Sequence, residues 1–321
     1  KALPEVTEAV VAALEKNYAN PSSLHSFGLK SEKILKESRK IIADYLAVKT
    51  KELIFTSGGT ESNNLAIRGI TKSYKNRGQH LITSPIEHSS VAKLFKALEN
   101  EGWQVDIVNV DQKGYVDLEH LRTLITEDTI LVSIMQVNNE LGTIQPLKKI
   151  AEIIKEKNPL SFFHVDGVQA FGKIYSNLSQ WPVDLYSISG HKIHGPKGIG
   201  ALYIKEGTNL EPLIYGGGQE KNLRSGTENV PAIAGLKEAV KKLPQLSATK
   251  NEDKHMEQKR RYLLNSLQKI GEVVVNSPAA AAPHIINFSL PGIKGETMLH
   301  ALENQGIYIS TGSACSSKKK G

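Results

Sequence analysis

Apolar and polar positions alternate in blocks along the first two thirds of the chain. Short apolar or β-branched runs over 53–56, 80–83, 105–108, 130–134, 161–165, 184–188 and 200–204 predict strands. Between them, 60–75, 89–100, 117–126 and 146–157 repeat apolar residues every three or four positions, which predicts amphipathic helices. Strands that alternate with helices predict an α/β fold: a mostly parallel sheet flanked by helices on both faces. From about residue 229 the texture changes. A charged helix over roughly 250–270, strands over 272–275 and 284–288, and a helix near 295–305 predict a smaller α+β unit. A helix near 6–16 is expected to pack against that unit. The expected division is a large domain over 17–228 and a small one formed by 1–16 and 229–321.

Composition narrows the class. The chain has 321 residues, 40% hydrophobic and 23% charged, and is long enough to form its own core. A single cysteine excludes an internal disulfide, so a reducing, cytoplasmic setting is expected. No apolar run approaches the roughly 20 residues that span a bilayer, so no membrane partner is expected. The first residues carry acids and no cleavage-type apolar core, unlike a signal peptide. The formal charge of +7 is that of a solvated surface, part of it from Lys318, Lys319 and Lys320. With no nucleic-acid module signature, direct nucleic-acid binding is not expected.

In open α/β sheets ligands bind at the carboxyl ends of the strands. Ser57-Gly58-Gly59-Thr60-Glu61 follows one strand and opens a helix. Small residues and free N–H groups at a helix start suit a phosphate, although Thr60 could serve only as an N-cap. Asp166 follows a second strand and could be a plain turn former. Ser189-Gly190-His191-Lys192 follows a third, in a Gly/Pro-rich loop unusual for a solvent-facing lysine. A Schiff-base lysine, an acid for a pyridine nitrogen and a phosphate cup are what pyridoxal 5'-phosphate requires. All three stand in order, each at a predicted strand end. No metal site is expected.

With these motifs, the chain resembles the NifS/IscS-type cysteine desulfurases, class-V aminotransferase-like enzymes of pyridoxal-phosphate fold type I. The resemblance runs from about Asn20 to Cys315. Its carriers are Asn20-Pro21-Ser22-Ser23-Leu24-His25, the 56–64 segment, Glu87-His88, Val137-Asn138-Asn139-Glu140-Leu141-Gly142, the 164–169 and 189–192 segments, Arg224-Ser225-Gly226-Thr227-Glu228-Asn229, and Ser310-Thr311-Gly312-Ser313-Ala314-Cys315-Ser316-Ser317.

The resemblance implies that Lys192 forms the Schiff base and moves protons, Asp166 pairs with the ring nitrogen, and His88 stacks on the ring and assists proton transfer. Asn139 and Gln169 would lie near the ring hydroxyl. Gly59, Thr60, Ser189, Gly190 and His191 would hold the phosphate, and Thr227 would reach the phosphate of a second subunit, implying a homodimer. Cys315 would take sulfur from L-cysteine as a persulfide, leaving alanine. Neighbouring lysines favour its thiolate. The sulfur would pass to an iron–sulfur scaffold or a tRNA sulfurtransferase. Other readings are a selenocysteine lyase or related aminotransferase, an interaction protein that kept the cofactor but lost substrate binding, and an RNA-binding protein. His25, His80 and His284 read as structural, and Glu140 as a sheet-end hydrogen-bonder. The sequence opens after the family's first strand. It stops at Gly321, before the arginine that holds the substrate carboxylate, so the small domain is expected to be incomplete. The run Ala279-Ala280-Ala281-Ala282 has no sequence-level explanation.

Overall fold

The computed structural model describes residues 1–244 and 254–312. The chain opens with helices α1 (Pro4–Lys16) and α2 (Ser26–Leu46). There follow β1 (Leu53–Thr56), α3 (Gly59–Tyr74), β2 (His80–Thr83), α4 (Ser89–Asn100), β3 (Gln104–Ile107), α5 (Leu118–Leu124), β4 (Thr129–Met135), α6 (Leu147–Lys157) and β5 (Phe162–Asp166). Strands β6 (Leu185–Ser189) and β7 (Gly200–Ile204) complete a seven-stranded sheet of order β1-β7-β6-β5-β4-β2-β3. β7 runs antiparallel to both neighbours, and every other pairing is parallel. Six strands therefore point their carboxyl ends to one edge, as the alternating pattern predicted.

Apart from the edge strand β3, each strand of the sheet buries both faces, and the period of two sorts its residues between two cores. Ile54, Leu81, Leu131, Leu185 and Leu202 pack with Leu65, Ile70, Val91 and Phe95 of α3 and α4. Their strand neighbours Phe55, Ile82, Val132, Tyr186 and Ala201 join the opposite core with Ile42, Leu46, Leu121, Ile150 and Leu236.

Helix α2 is not legible in the hydrophobic pattern. Its buried stripe includes Gly28, Ser31 and Ser38 beside Leu35, Ile42 and Leu46, so small polar residues occupy core-facing places. Ser31 and Ser38 direct their hydroxyls to the Asn17 and Ile34 carbonyls. His25 caps α2, its Nδ1 accepting from Gly28 N at 3.2 Å. His80 is buried with Thr129 Oγ1 at 2.8 Å and Asp106 at 3.1 Å.

Helix α1 packs on α7 (Val230–Lys241), the first helix of the 229–321 stretch, and Val6 of α1 and Val230, Ile233 and Leu236 of α7 all belong to the core of the large sheet. A side chain on Gly235 would meet Pro196 and Val10, so the glycine permits this close approach. By packing, both helices side with the large sheet.

The remaining described residues form α8 (Lys254–Gln268), a two-stranded ribbon of β8 (Val274–Val275) and β9 (Phe288–Ser289), and α9 (Gly295–Glu303). The second strand is two residues long and starts at Phe288, later than the expected 284, because Asn276 and Ser277 bond Asn287 in place of a longer ladder. The alanine run acquires a reason. Ala281 and Ala282 are buried, Ala282 N donates to the Gly142 carbonyl at 2.7 Å, and a Cβ on Gly142 would stand 3.2 Å from that of Ala281. Small residues on both sides let this segment sit against the 138–143 turn. Among the described residues no helix is long and apolar enough to cross a membrane.

Candidate active site

A cavity of about 430 Å³ opens at the carboxyl edge of the sheet, within the usual size of a small-ligand site. Five strand ends supply its walls. β1 leads to Gly59, Thr60 and Asn63; β2 leads to His88 and Ser90; β4 contributes Met135 and Asn139. β5 ends at Asp166, with Val168 and Gln169 beyond, and β6 ends at Ser189, followed by His191 and Lys192. Ser310 and Gly312, from the residues after α9, also line it.

The floor under the start of α3 is built from glycines. Gly58 precedes the helix with φ +148°, and Gly200 of β7 lies so near that its Cβ would stand 2.7 Å from Gly58 Cα. A Cβ on Gly59 would stand 2.5 Å from Val168 Cγ2. The backbone amides at the start of α3 thus reach the cavity edge with the positive end of the helix dipole. Thr56 Oγ1 and Ser62 Oγ, 2.8 Å apart, tie the turn to the helix, and Arg224 fastens Glu61 at 3.0 Å. Across the cavity Ser189 Oγ and His191 Nδ1 are 2.8 Å apart. Burial pushes the His191 ring below its usual pKa, helped by the charges of Lys192, Lys197 and Lys173.

Asp166 is buried at the floor. Its Oδ1 accepts from Val168 N at 3.0 Å and its Oδ2 from Asn63 Nδ2 at 2.7 Å. Burial raises its pKa; the two donors and the charges of His88 and Lys192 act the other way. A buried carboxylate in this state is matched by a ligand N–H placed against it. Gly167, next to it, has no room for a side chain: a Cβ would fall 2.0 Å from the Tyr186 ring.

His88 caps α4, with Nδ1 2.8 Å from Ser90 Oγ. The preceding Glu87 turns inward. Its Oε1 accepts from Ser84 Oγ at 2.6 Å and Met135 N at 3.0 Å, joining the ends of β2 and β4, and burial pushes its carboxyl up to about 8. Asn139 is presented by a turn in which Asn138 Oδ1 accepts from Glu140 N and Leu141 N.

Of the residues expected from sequence, Gly59, Thr60, His88, Asn139, Asp166, Gln169, Ser189, His191 and Lys192 all line this one cavity. Gly190 is buried just behind, where a Cβ would press on Ile199. Thr227 is exposed in the loop before α7 and is not among the lining residues. Cys315 lies outside the described residues. The sequence reading assigned no role to Asn63 or Ser90. The Asn63 position four residues past Gly59, one helical turn into α3, was the available signal.

A site with a lysine, a buried acid and a helix-start anion cradle at the carboxyl edge of such a sheet defines the pyridoxal-phosphate fold type I class. The chain belongs to the aminotransferase class-V family, whose family model matches residues 1–320. Within it, the chain belongs with the NifS/IscS-type members. It is 48% identical to the NifS/IcsS protein homolog of Lactobacillus delbrueckii subsp. bulgaricus, over 99% of this chain and 83% of that protein. It is 44% identical to cysteine desulfurase IscS of Dictyoglomus turgidum, over 98% and 79%. A solved NifS-like protein superposes with a TM-score of 0.92 at 40% identity, covering 97% of this chain and 85% of that one. SspA in complex with cysteine superposes with a TM-score of 0.85 at 34% identity, covering 98% and 87%.

Proposed function

We propose that this protein is a pyridoxal-phosphate-dependent cysteine desulfurase that converts L-cysteine to L-alanine and takes the sulfur on Cys315. The observation that carries the reading is the convergence of Lys192, Asp166, His88 and the Gly59–Thr60 cradle on one cavity. The cofactor fits: the cradle leaves no room for a Cβ at Gly59, Asp166 is a buried acid open to a ring N–H, and Lys192 offers an amine for covalent attachment. Thr60, Ser189 and His191 would complete the phosphate cup, and Asn139 and Gln169 would lie by the ring hydroxyl. When bound, the cofactor supplies an electron sink that makes the Cα proton of an amino acid removable.

Around it, Lys192 would take that proton, His88 would act as an acid–base group from the same walls, and Asp166 would hold the ring in place. The overall transfer balances. The C–S bond of cysteine breaks, an S–S bond forms on Cys315, and the carbon that loses sulfur gains hydrogen. L-cysteine plus enzyme thiol therefore gives L-alanine plus enzyme persulfide. Thr227 would serve the phosphate of a second subunit, making the working form a homodimer in the cytoplasm. The sulfur acceptors would be an iron–sulfur scaffold protein or a tRNA sulfurtransferase. Relatives named cysteine desulfurase and a neighbour solved with cysteine support the substrate.

The test is to incubate the protein with L-cysteine and a thiol reductant and to measure sulfide and alanine together, beside Lys192→Ala and Cys315→Ala. Equal amounts of both products, lost in both variants, are expected. Neither product, from protein that retains its cofactor, would overturn the reading.

A further inference from the structure

Four side chains from three strand ends form one hydrogen-bonded line: Asp166, Asn63, Ser90 and His88. The links are 2.7 Å from Asn63 Nδ2 to Asp166 Oδ2, 2.9 Å from the same Nδ2 to Ser90 Oγ, and 2.8 Å between Ser90 Oγ and His88 Nδ1. The direction of every proton in this line follows from the donor inventory. A carboxylate only accepts, so the face of Asn63 turned to Asp166 is its NH₂ group. That group has two hydrogens, one for Asp166 and one for Ser90 Oγ. Ser90 Oγ therefore accepts from Asn63. The backbone N–H of Ser90 donates to His88 Nδ1 at 3.2 Å, and a ring nitrogen that accepts an N–H carries no proton, so the Ser90 O–H also points onto Nδ1. In the neutral ring the proton sits on Nε2.

We infer that Ser90, held by Asn63, is a positioning residue that fixes His88 as an Nε2–H donor and ties its orientation to the carboxylate of Asp166. The inference rests on the desulfurase reading for its consequence. His88 then enters the reaction as a proton donor at Nε2, and proton abstraction falls to Lys192, which lines the same cavity. The arrangement joins the group expected at the ring nitrogen to the group expected on the ring face, through residues that need not touch the cofactor themselves. Removing the Ser90 hydroxyl leaves one weaker donor on Nδ1 and an Asn63 hydrogen without an acceptor.

The experiment uses the full-length holoenzyme labelled with ¹⁵N-histidine. Imidazole nitrogen shifts near neutral pH, without substrate, report which nitrogen carries the proton. The parent is expected to show an unprotonated Nδ1 and a protonated Nε2 for His88, assigned by its loss in His88→Gln. In Ser90→Ala the two nitrogens should move toward averaged shifts. With this change kcat should fall about tenfold at nearly constant KM, a fraction of what a placed acid–base group contributes. Ser90→Thr, which keeps the hydroxyl, should restore both readouts. A proton on Nδ1 in the parent overturns the inference, and so does a Ser90→Ala ring identical to the parent in shifts and in the pH profile of kcat. An inactive parent whose His88 still carries its proton on Nε2 sinks the desulfurase reading and leaves the tautomer standing.

Discussion

Asn63 Nδ2 donates to Asp166 Oδ2 at 2.7 Å, across 103 residues of sequence, and so joins the first turn of α3 to the end of β5. The two residues stand on elements whose positions are set by separate strands of one sheet. The bond makes the orientation of the buried acid depend on the same helix whose N-terminus forms the anion cradle.

Replacing Asn63 should therefore disturb the acid without touching Lys192. Asn63→Ala leaves one Asp166 oxygen without its donor, and stability should fall by about 1–3 kcal/mol. Asn63→Asp sets two carboxylates against each other and should release cofactor more readily than the alanine variant. Absorbance of retained cofactor after gel filtration ranks the three proteins. Equal retention in all of them would rule out a role for this bond in holding the acid.

The cradle at Gly59 gives a steric prediction. Gly59→Ala places a Cβ 2.5 Å from Val168 Cγ2, so the start of α3 must shift. Cofactor affinity should drop by about tenfold or more, and Val168→Ala in the same chain should recover much of it, since neighbouring sites couple. A double variant no better than Gly59→Ala would show that the loss has another origin.

Glu87 makes stability depend on alkaline pH. Its carboxyl is pushed from 4.5 to about 8 by burial, while the unfolded chain keeps the ordinary value. Between those values the native state holds a proton that the unfolded state has released, so stability falls as pH rises. The slope from this group is at most about 1.4 kcal/mol per pH unit and ends above pH 8. Glu87→Gln keeps an oxygen for Ser84 Oγ and Met135 N and cannot titrate. Urea midpoints between pH 5 and 8 should be flatter in the variant than in the parent.

His164 acts on the acid side. The ring is buried in β5 between Ser133 Oγ at 2.8 Å and Ser187 Oγ at 3.0 Å, and burial lowers its pKa from 6.5 to about 3. Below pH 6.5 the unfolded chain binds a proton that the native ring refuses, so stability is lost as pH falls through that window toward 3. His164→Asn should lower stability at neutral pH and show a shallower decline on acidification. Parallel curves for the two proteins would remove His164 from the acid response.

The strands and most helices of the large sheet were legible because each element carries its own period. Runs such as Leu131-Val132-Ser133-Ile134 bury both faces, and α4 and α6 repeat apolar residues at helical spacing. Helix α2 was not, since Ser31 and Ser38 serve core positions through hydrogen bonds to carbonyls and contribute no apolar signal. Nor was the close approach of α1 to α7. Its apolar stripe fits any partner, and the glycine that admits it, Gly235, stands more than 200 residues away.

At the site, the sequence by itself determined which residue types stand at the strand ends: the lysine, the acid, the histidine and the small residues of the cradle. Those residues follow short β-rich runs, and in a parallel sheet the ends of such runs meet at one edge. Tertiary structure alone decided which of them touch. The Asp166–Asn63–Ser90–His88 line depends on the angles at which α3 and α4 leave the sheet. The closeness of Gly58 to Gly200 depends on β7 pairing beside β1. Spacing along the chain fixes local geometry over a few residues, whereas a hydrogen bond tolerates only a few tenths of an ångström. That precision comes from packing the whole sheet.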